Sequence, residues 1–248
     1  MSPSGRAWSR TKEHAGSGTS TSRRDNGTGM KTYTNIVFDL DGTLTDPVVG
    51  ITNSFIYAME KYGIPVPERS ELLKLIGPPP LESFQEIYGL SREEATAAVR
   101  YYREFYREKG IFECSVFPGI EDLLKSLNEE GRTLMVATAK VEQFAEIVLE
   151  HFGIAKYFTC IAGSDMANTI THKSEIIKAT LKRCAITDPE HTVMVGDRMH
   201  DILGAKDAGI DSIGILYGYG TREELENAGA DLIAESVQDL KRILSPQV

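Results

Sequence analysis

Two aspartates separated by one residue follow the first apolar run of the chain. Asp39 and Asp41 come directly after residues 36–38, Ile-Val-Phe, and precede Gly42 and Thr43. Because side chains at i and i+2 of an extended backbone point to the same side, the two carboxylates can hold one hard cation, or act as a nucleophile and a proton shuttle. Gly42 permits close backbone approach, and Thr43 adds amide and hydroxyl donors for an anion. The segment could equally be an Asp-rich turn, since Asp-Gly is a common turn signal.

Polar side chains follow three further apolar runs. Thr138 ends one run, Lys173 opens the helical pattern after another, and Asp197 follows a third, with Asp201 one helical turn later. Each has an ordinary alternative: a threonine or aspartate can cap a helix, and a lysine can be solvated at the surface. A lysine at the start of a helix is disfavoured by the helix dipole, however, unless an anionic group faces it. The four segments together predict a binding or catalytic site, if the fold brings the polar residues that follow the four apolar runs to one place.

The order of the elements predicts a fold that would do so. Strands are predicted from apolar, β-branched runs at residues 35–40, 133–138, 160–163, 192–195, 212–215 and 231–233, and helices from amphipathic spacing at 120–127, 141–148 and 176–184. The first run is apolar on both faces, as in a central parallel strand covered by helices. This alternation predicts an α/β fold with a doubly wound parallel sheet, in which ligands bind beyond the carboxyl ends of the strands.

One long segment lacks strand patterns. Residues 47–115 carry helical patterns, including a long one at 91–109, and are interrupted at 77–80 by Gly-Pro-Pro-Pro, which a helix cannot cross. We therefore predict an all-helical domain at 47–115, inserted after the first strand into a core formed by 30–46 and 116–248. The first 29 residues are rich in Ser, Thr, Gly and Arg, and are expected to form a disordered leader.

The composition limits the classes of protein to which the chain can belong. The chain has 248 residues, of which 41% are hydrophobic and 25% charged, as in ordinary globular proteins. No run approaches the roughly 18 apolar residues of a membrane span, so membrane association is not expected. The net charge of −9 repels polyanions, so nucleic-acid binding is not expected either.

The cysteines and the first 29 residues indicate the cellular location. Cys114, Cys160 and Cys184 are widely spaced and form no Cys-x-x-Cys pair, which predicts reduced, buried thiols. The leader lacks the apolar segment of a secretory signal. A cytoplasmic protein is expected, as a monomer or weak homodimer.

The four polar segments resemble the haloacid dehalogenase superfamily of phosphohydrolases, which has four motifs in this order. The first, Asp-x-Asp-Gly-Thr-Leu, is intact at residues 39–44; Thr138, Lys173 and Gly196-Asp197 with Asp201 match the others. The resemblance covers about residues 34–244. It implies a Rossmann-like core and identifies the helical insertion as a small cap domain.

The resemblance implies roles in catalysis. Asp39 would be the nucleophile that forms an aspartyl-phosphate, and Asp41 the acid that protonates the leaving group and then activates water. Thr138 and Lys173 would hold the phosphoryl oxygens, together with the donors of Thr43.

It also implies a magnesium site. Asp39, the backbone carbonyl of Asp41 and Asp197 would bind Mg²⁺, while Asp201 would orient bound waters or Lys173. In one departure from the family pattern, Ala139 follows Thr138 where many relatives have asparagine, which puts the placement of Lys140 in doubt.

The remaining signals concern the substrate, a small phosphate ester. Gly77, Pro78 and Pro79, then Arg198 and His200, then Tyr217 lie in segments similar to the phosphoglycolate-phosphatase-like branch often labelled 5′-nucleotidase. By this resemblance the substrate would be a nucleoside 5′-monophosphate, with the Tyr217 or Tyr219 ring stacked on its base or sugar.

Three other functions compete with this one. Phosphoglycolate phosphatase is the main alternative, followed by phosphomutase, which shares the whole motif set, and a non-catalytic binding module. A dehalogenase is disfavoured because Asp41 would have no role in it.

Overall fold

The computed structural model describes residues 31–245 except 168 and 171, so the predicted leader lies outside the described residues. Six parallel strands form one sheet, in the order β5-β4-β1-β6-β7-β8. They are β1 (Asn35–Phe38), β4 (Thr133–Val141), β5 (Cys160–Ser164), β6 (Thr192–Gly196), β7 (Asp211–Ile215) and β8 (Leu232–Ala234). The predicted doubly wound α/β fold is confirmed.

Helices cover both faces of this sheet. They are α4 (Ile120–Glu129), α5 (Glu142–His151), α6 (Lys173–Arg183), α7 (Met199–Ala208), α8 (Arg222–Ala228) and α9 (Val237–Leu244). Ile36 and Phe38 of β1 pack in a cluster with apolar side chains of α4 and α9, while Val37 packs in another with Ile176 and Ile177 of α6. Burial on both faces explains why β1 is apolar throughout.

The cap consists of three helices between two short strands. Its helices are α1 (Val48–Tyr62), α2 (Pro80–Glu86) and α3 (Arg92–Glu108), with a 3-10 helix at Arg69–Leu75. Ser91 and Glu94 form a capping box at the start of α3. Strands β2 (Thr45–Asp46) and β3 (Ser115–Val116) pair antiparallel, so the chain enters and leaves the cap side by side.

The expectation of three reduced, buried thiols is wrong for two cysteines. Cys160 at the start of β5 and Cys184 at the end of α6 are paired as a disulfide, with Cα atoms 6.7 Å apart. The cause is the packing of α6 against β5, which a separation of 24 residues does not reveal. Cys114 is free but only partly buried.

None of the described helices is long and apolar enough to cross a lipid bilayer.

Candidate active site

The register of the sheet brings the polar segments to one edge. Phe38 at the end of β1 is level with Val136 of β4 and with Val195 of β6. Asp39 therefore leaves β1 between Thr138 of β4 and Asp197, which directly follows β6. The chain order reverses on either side of β1, which is where open α/β sheets bind their ligands.

Three carboxylates meet at this edge. Asp39, Asp197 and Asp201 are each at most 5% exposed, and an oxygen of each lies within 4.8 Å of an oxygen of the others. Burial, reinforced by the neighbouring carboxylates, raises the pKa of Asp197 well above its usual range. Burial likewise raises the pKa of Asp201 to about 6, although Lys173 opposes this. A cation placed among them would relieve this repulsion, and an all-oxygen donor set fits a hard ion such as Mg²⁺.

Lys173 joins two of these acids. Its ammonium nitrogen lies 2.8 Å from Asp39 Oδ1 and 2.8 Å from Asp201 Oδ1, and donates a hydrogen bond to the backbone oxygen of Ala137 at 3.1 Å. Burial lowers the pKa of Lys173, but Asp201 and Asp39 raise it by more, so the side chain is a cation. These carboxylates are the anionic groups that a lysine at the start of α6 requires.

Close backbone packing fixes Asp197. Gly42 has a φ of +86°, and a Cβ placed on it would lie 2.7 Å from Asp197 Cγ. Asp197 Oδ2 also accepts a hydrogen bond from the Tyr219 amide at 2.8 Å. Gly218 packs against the same Asp197 carboxylate, and a Cβ atom on Gly218 would overlap Asp197. The glycines thus let two loops approach one acid from both sides.

Thr43 lies beside Asp197. It is fully buried, its amide donates to the backbone oxygen of Leu40 at 3.2 Å, and its hydroxyl lies 3.5 Å from Asp197 Oδ1. Both donors of Thr43 thus have partners within the protein, and its role in binding phosphate stays a prediction. Thr138, also buried, accepts a hydrogen bond from the Lys140 amide at 3.2 Å. It lies within β4, two residues beyond Val136, the last residue paired with β1, so the strand continues past the predicted end at Thr138.

Asp41 has two partners that were not predicted from the sequence, Lys140 and, through it, Tyr106. Lys140 Nζ lies 2.7 Å from Asp41 Oδ1 and donates to the Tyr106 hydroxyl at 2.6 Å. Burial raises the pKa of Asp41, and Lys140 partly offsets this. Burial also raises the pKa of Tyr106 to about 12, so its hydroxyl is neutral at ordinary pH. The position of Lys140, two residues after Thr138, could have indicated a cation near the acids. Nothing in the sequence distinguishes Tyr106 from the other aromatic residues of its cap helix.

Two cavities adjoin the acids. The first lies between the cap and the core beside Asp41, and its walls are mainly apolar and aromatic; they include Ile51, Leu75, Tyr102, Tyr106, Val141 and Phe144. The second contains Asp39, Lys173 and Asp201, and its outer wall includes Glu82, Glu86 and His172. Three of the predicted specificity residues, Gly77, Pro78 and Pro79, line both cavities.

The other specificity candidates differ in placement. Arg198 and His200 line the second cavity, but the Arg198 guanidinium already donates to the backbone oxygen of Ile76 at 2.7 Å and to Glu224 at 2.8 Å. Arg198 thus joins the core to the proline-rich cap loop. Burial, with the nearby cations Arg198 and Lys173, lowers the pKa of His200.

The structure places Tyr217, which is predicted to stack on the substrate, against Phe117. Among the described residues that line these two cavities, Tyr217 does not occur. Its ring packs edge-on against Phe117 at 5.2 Å, and its hydroxyl donates to the backbone oxygen of Thr43 at 3.2 Å. Tyr219, likewise absent from both linings, donates its hydroxyl to Asp46 at the entrance to the cap. Both tyrosines brace the loops behind the acids.

Comparison with known proteins gives consistent matches. A family model described as haloacid dehalogenase-like hydrolase matches residues 36–215. A 5′-nucleotidase from Pseudomonas aeruginosa is 46% identical over 78% of this chain and 87% of its own length. Tyrosine-protein kinase PtkA from Mycobacterium tuberculosis is 38% identical over 84% of this chain and 72% of its own. The crystal structure of a predicted phosphatase from Clostridium acetobutylicum superposes with a TM-score of 0.83 at 43% identity, covering 86% of this chain and 98% of that one.

Proposed function

We infer the function from one premise: this chain belongs to the haloacid dehalogenase-like hydrolases. It is a phosphatase of that family. We propose that it hydrolyses small phosphate monoesters through an aspartyl-phosphate on Asp39. The observation that carries this proposal is the buried contact of Lys173 with both Asp39 and Asp201, beside Asp197.

The first step transfers the phosphoryl group to the protein. A carboxylate oxygen of Asp39 forms a bond to phosphorus while the bond from phosphorus to the ester oxygen breaks. Lys173 and the hydroxyl of Thr138 neutralise and orient the phosphoryl oxygens, which is the main contribution a protein makes to this reaction. The ammonium of Lys173, 2.8 Å from Asp39 Oδ1, also orients the carboxyl group that attacks phosphorus.

Asp41 carries out both proton transfers. The departing ester oxygen takes the bonding electron pair and receives the proton of the Asp41 carboxyl group. In the second step the same carboxylate accepts a proton from the water that attacks the aspartyl-phosphate, which releases inorganic phosphate and restores Asp39. The raised pKa of Asp41, caused by burial, suits a group that must first act as an acid.

Mg²⁺ fits the donor set described above. Asp39, Asp197 and the backbone carbonyl of Asp41 would hold it, and Asp201 would orient its waters and Lys173. When bound, the ion supplies positive charge that stabilises the oxygens of the transferring phosphoryl group.

We propose a nucleoside 5′-monophosphate as the substrate. The cavity beside Asp41, where the leaving group must lie, has aromatic walls from Tyr102, Tyr106 and Phe144, and such walls suit a planar base or sugar better than a two-carbon acid. The resemblance to a protein named 5′-nucleotidase supports the same choice. The cytoplasmic location and the oligomeric state stay predictions from the sequence.

A phosphate-release panel tests this proposal. Nucleoside 5′-monophosphates, phosphoglycolate and sugar phosphates should be compared by kcat/KM with Mg²⁺ present, using Asp39→Asn as the inactive control. We expect a nucleoside monophosphate to rank first. If phosphoglycolate ranks first, the alternative phosphoglycolate phosphatase is correct. Retention of the phosphoryl group on a sugar indicates a phosphomutase, and no turnover of any ester indicates a binding module.

A further inference from the structure

Three polar side chains in contact with one another connect the cap to the core. Tyr106 lies on cap helix α3, Lys140 on strand β4 of the core, and Asp41 after strand β1. The Lys140 ammonium donates to the Tyr106 hydroxyl at 2.6 Å and lies 2.7 Å from Asp41 Oδ1. The group that would protonate the leaving group is therefore linked to the cap through one lysine.

The surroundings restrict all three side chains. The Lys140 side chain is 6% exposed and that of Asp41 is 11% exposed. The Tyr106 ring stacks on Tyr102 at 5.7 Å within the cap and contacts Phe144 of the core at 5.5 Å. Because the ring is held from both domains, its hydroxyl can meet Lys140 only when the cap is docked as in this structure.

We propose that Tyr106 and Lys140 are positioning residues that couple docking of the cap to the placement of the Asp41 carboxyl group against the leaving-group oxygen. This rests on the proposed phosphatase function and adds two residues to it. The contact with the Lys140 ammonium fixes one oxygen of Asp41, and Asp41 lines the cavity in which the leaving group would lie. When the cap moves away, Lys140 loses its hydroxyl partner and Asp41 loses its fixed orientation.

The consequence depends on the leaving group. The bond between phosphorus and the ester oxygen breaks with its electron pair going to that oxygen. A p-nitrophenolate ion leaves readily without a proton, whereas a phenolate, and still more an alkoxide, needs the proton of Asp41 as the bond breaks. General acid catalysis contributes roughly 10²–10⁴-fold where it is needed. Misplacing Asp41 should therefore slow poor leaving groups selectively.

Two aryl esters of similar size isolate this effect. The kcat/KM of p-nitrophenyl phosphate and phenyl phosphate should be measured for the wild type, Tyr106→Phe, Lys140→Met and the double variant, because kcat/KM reports the steps up to release of the leaving group and not the later attack of water, in which Asp41 also takes part. For phenyl phosphate we expect kcat/KM to fall about tenfold in Tyr106→Phe and about a hundredfold in Lys140→Met, within the range of general acid catalysis. For p-nitrophenyl phosphate the loss of kcat/KM should stay within about threefold.

The double variant and a matched control complete the test. Because Tyr106 acts through Lys140, the double variant should be no slower than Lys140→Met. Tyr57→Phe removes another cap hydroxyl, one that donates to Glu104 at 2.7 Å away from the site, and should leave both rates unchanged. Melting temperatures identify any variant that fails to fold, in which case Tyr106→Phe, the smaller change, decides.

The outcomes separate this inference from the proposed function. Equal proportional losses for the two esters, or additive losses in the double variant, would overturn the positioning role while leaving a phosphatase. A wild-type protein that releases phosphate from neither aryl ester nor from any member of the substrate panel would overturn both.

Discussion

Replacing Gly42 by alanine tests whether the backbone fixes the position of Asp197. Two effects are expected. The φ of +86° is strained for a residue with a Cβ, which costs about 1–2 kcal/mol of stability. In addition, the new Cβ would lie 2.7 Å from Asp197 Cγ, whereas carbon atoms pack at roughly 3.5–4.0 Å. Asp197 must therefore retreat by about 1 Å.

That displacement is large for a metal ligand. Ligand distances in a metal site are held to about 0.2 Å, and a misplacement of about 1 Å in an active site can cost about a hundredfold in rate. Asp197 cannot move freely, because the Tyr219 amide holds its Oδ2 at 2.8 Å. We expect Gly42→Ala to lose about a hundredfold in kcat/KM and to need a higher Mg²⁺ concentration for half-maximal activity.

Gly131→Ala is the matched control. Gly131 has a φ of +75°, but nothing lies within 4 Å of its Cβ position, so this variant has the backbone strain alone. Urea unfolding and Mg²⁺ titration of phosphate release should be measured for both variants. Gly131→Ala should lose about 1–2 kcal/mol and keep full activity. If Gly42→Ala keeps wild-type activity and loses no more stability than the control, the carboxylate is not fixed and the reasoning is wrong.

Four further outcomes are expected. Asp39→Asn should lower phosphate release by at least about 10³-fold, because it removes the nucleophile, and near-wild-type release would refute that assignment. EDTA should abolish activity and Mg²⁺ restore it. Mg²⁺ should also raise the melting temperature more at about pH 7.5 than at about pH 5, because burial raises the pKa of Asp201 to about 6 and protons compete with the ion. In the metal-free protein, the raised pKa of Asp201 makes the free energy of unfolding decrease as the pH rises toward 6. If Mg²⁺ raises the melting temperature equally at both pH values, this account is contradicted. Changing Pro78 and Pro79 to alanine should reorder kcat/KM among natural esters more than it changes p-nitrophenyl phosphate hydrolysis, and proportional losses would show that these prolines do not contact the leaving group.

The sequence could predict those parts of the site that follow from strand periodicity. Parallel strands end at one edge, so an apolar run followed by Asp39 and another followed by Asp197 predict neighbouring acids without any knowledge of distances. The lysine at the start of α6 was informative for a similar reason, since its position demands a nearby anion.

Contacts set by packing angles could not be predicted in this way. The approach of Tyr106 to Lys140 depends on how the cap rests on α5, and no local pattern encodes that angle. The contact of Tyr217 with Phe117 could not be predicted either, because an aromatic residue in a loop after a strand can point toward a cavity or away from it. The pairing of Cys160 with Cys184 likewise depends on how a helix and a strand pack.

The pairing of β2 with β3 has a consequence for how this chain can be re-engineered. Thr45 lies opposite Val116 and Asp46 opposite Ser115, so the two ends of the cap are adjacent and antiparallel. A short hairpin turn, or a different helical domain, can span the same two ends without changing the register of β1 with β4. The entropy of closing the connection changes only slowly with its length. The cap is therefore an exchangeable domain, and recombination at residues 46 and 115 would join a new leaving-group pocket to the same core strands. By the inference above, the new cap must also supply a hydroxyl group to Lys140 in place of Tyr106.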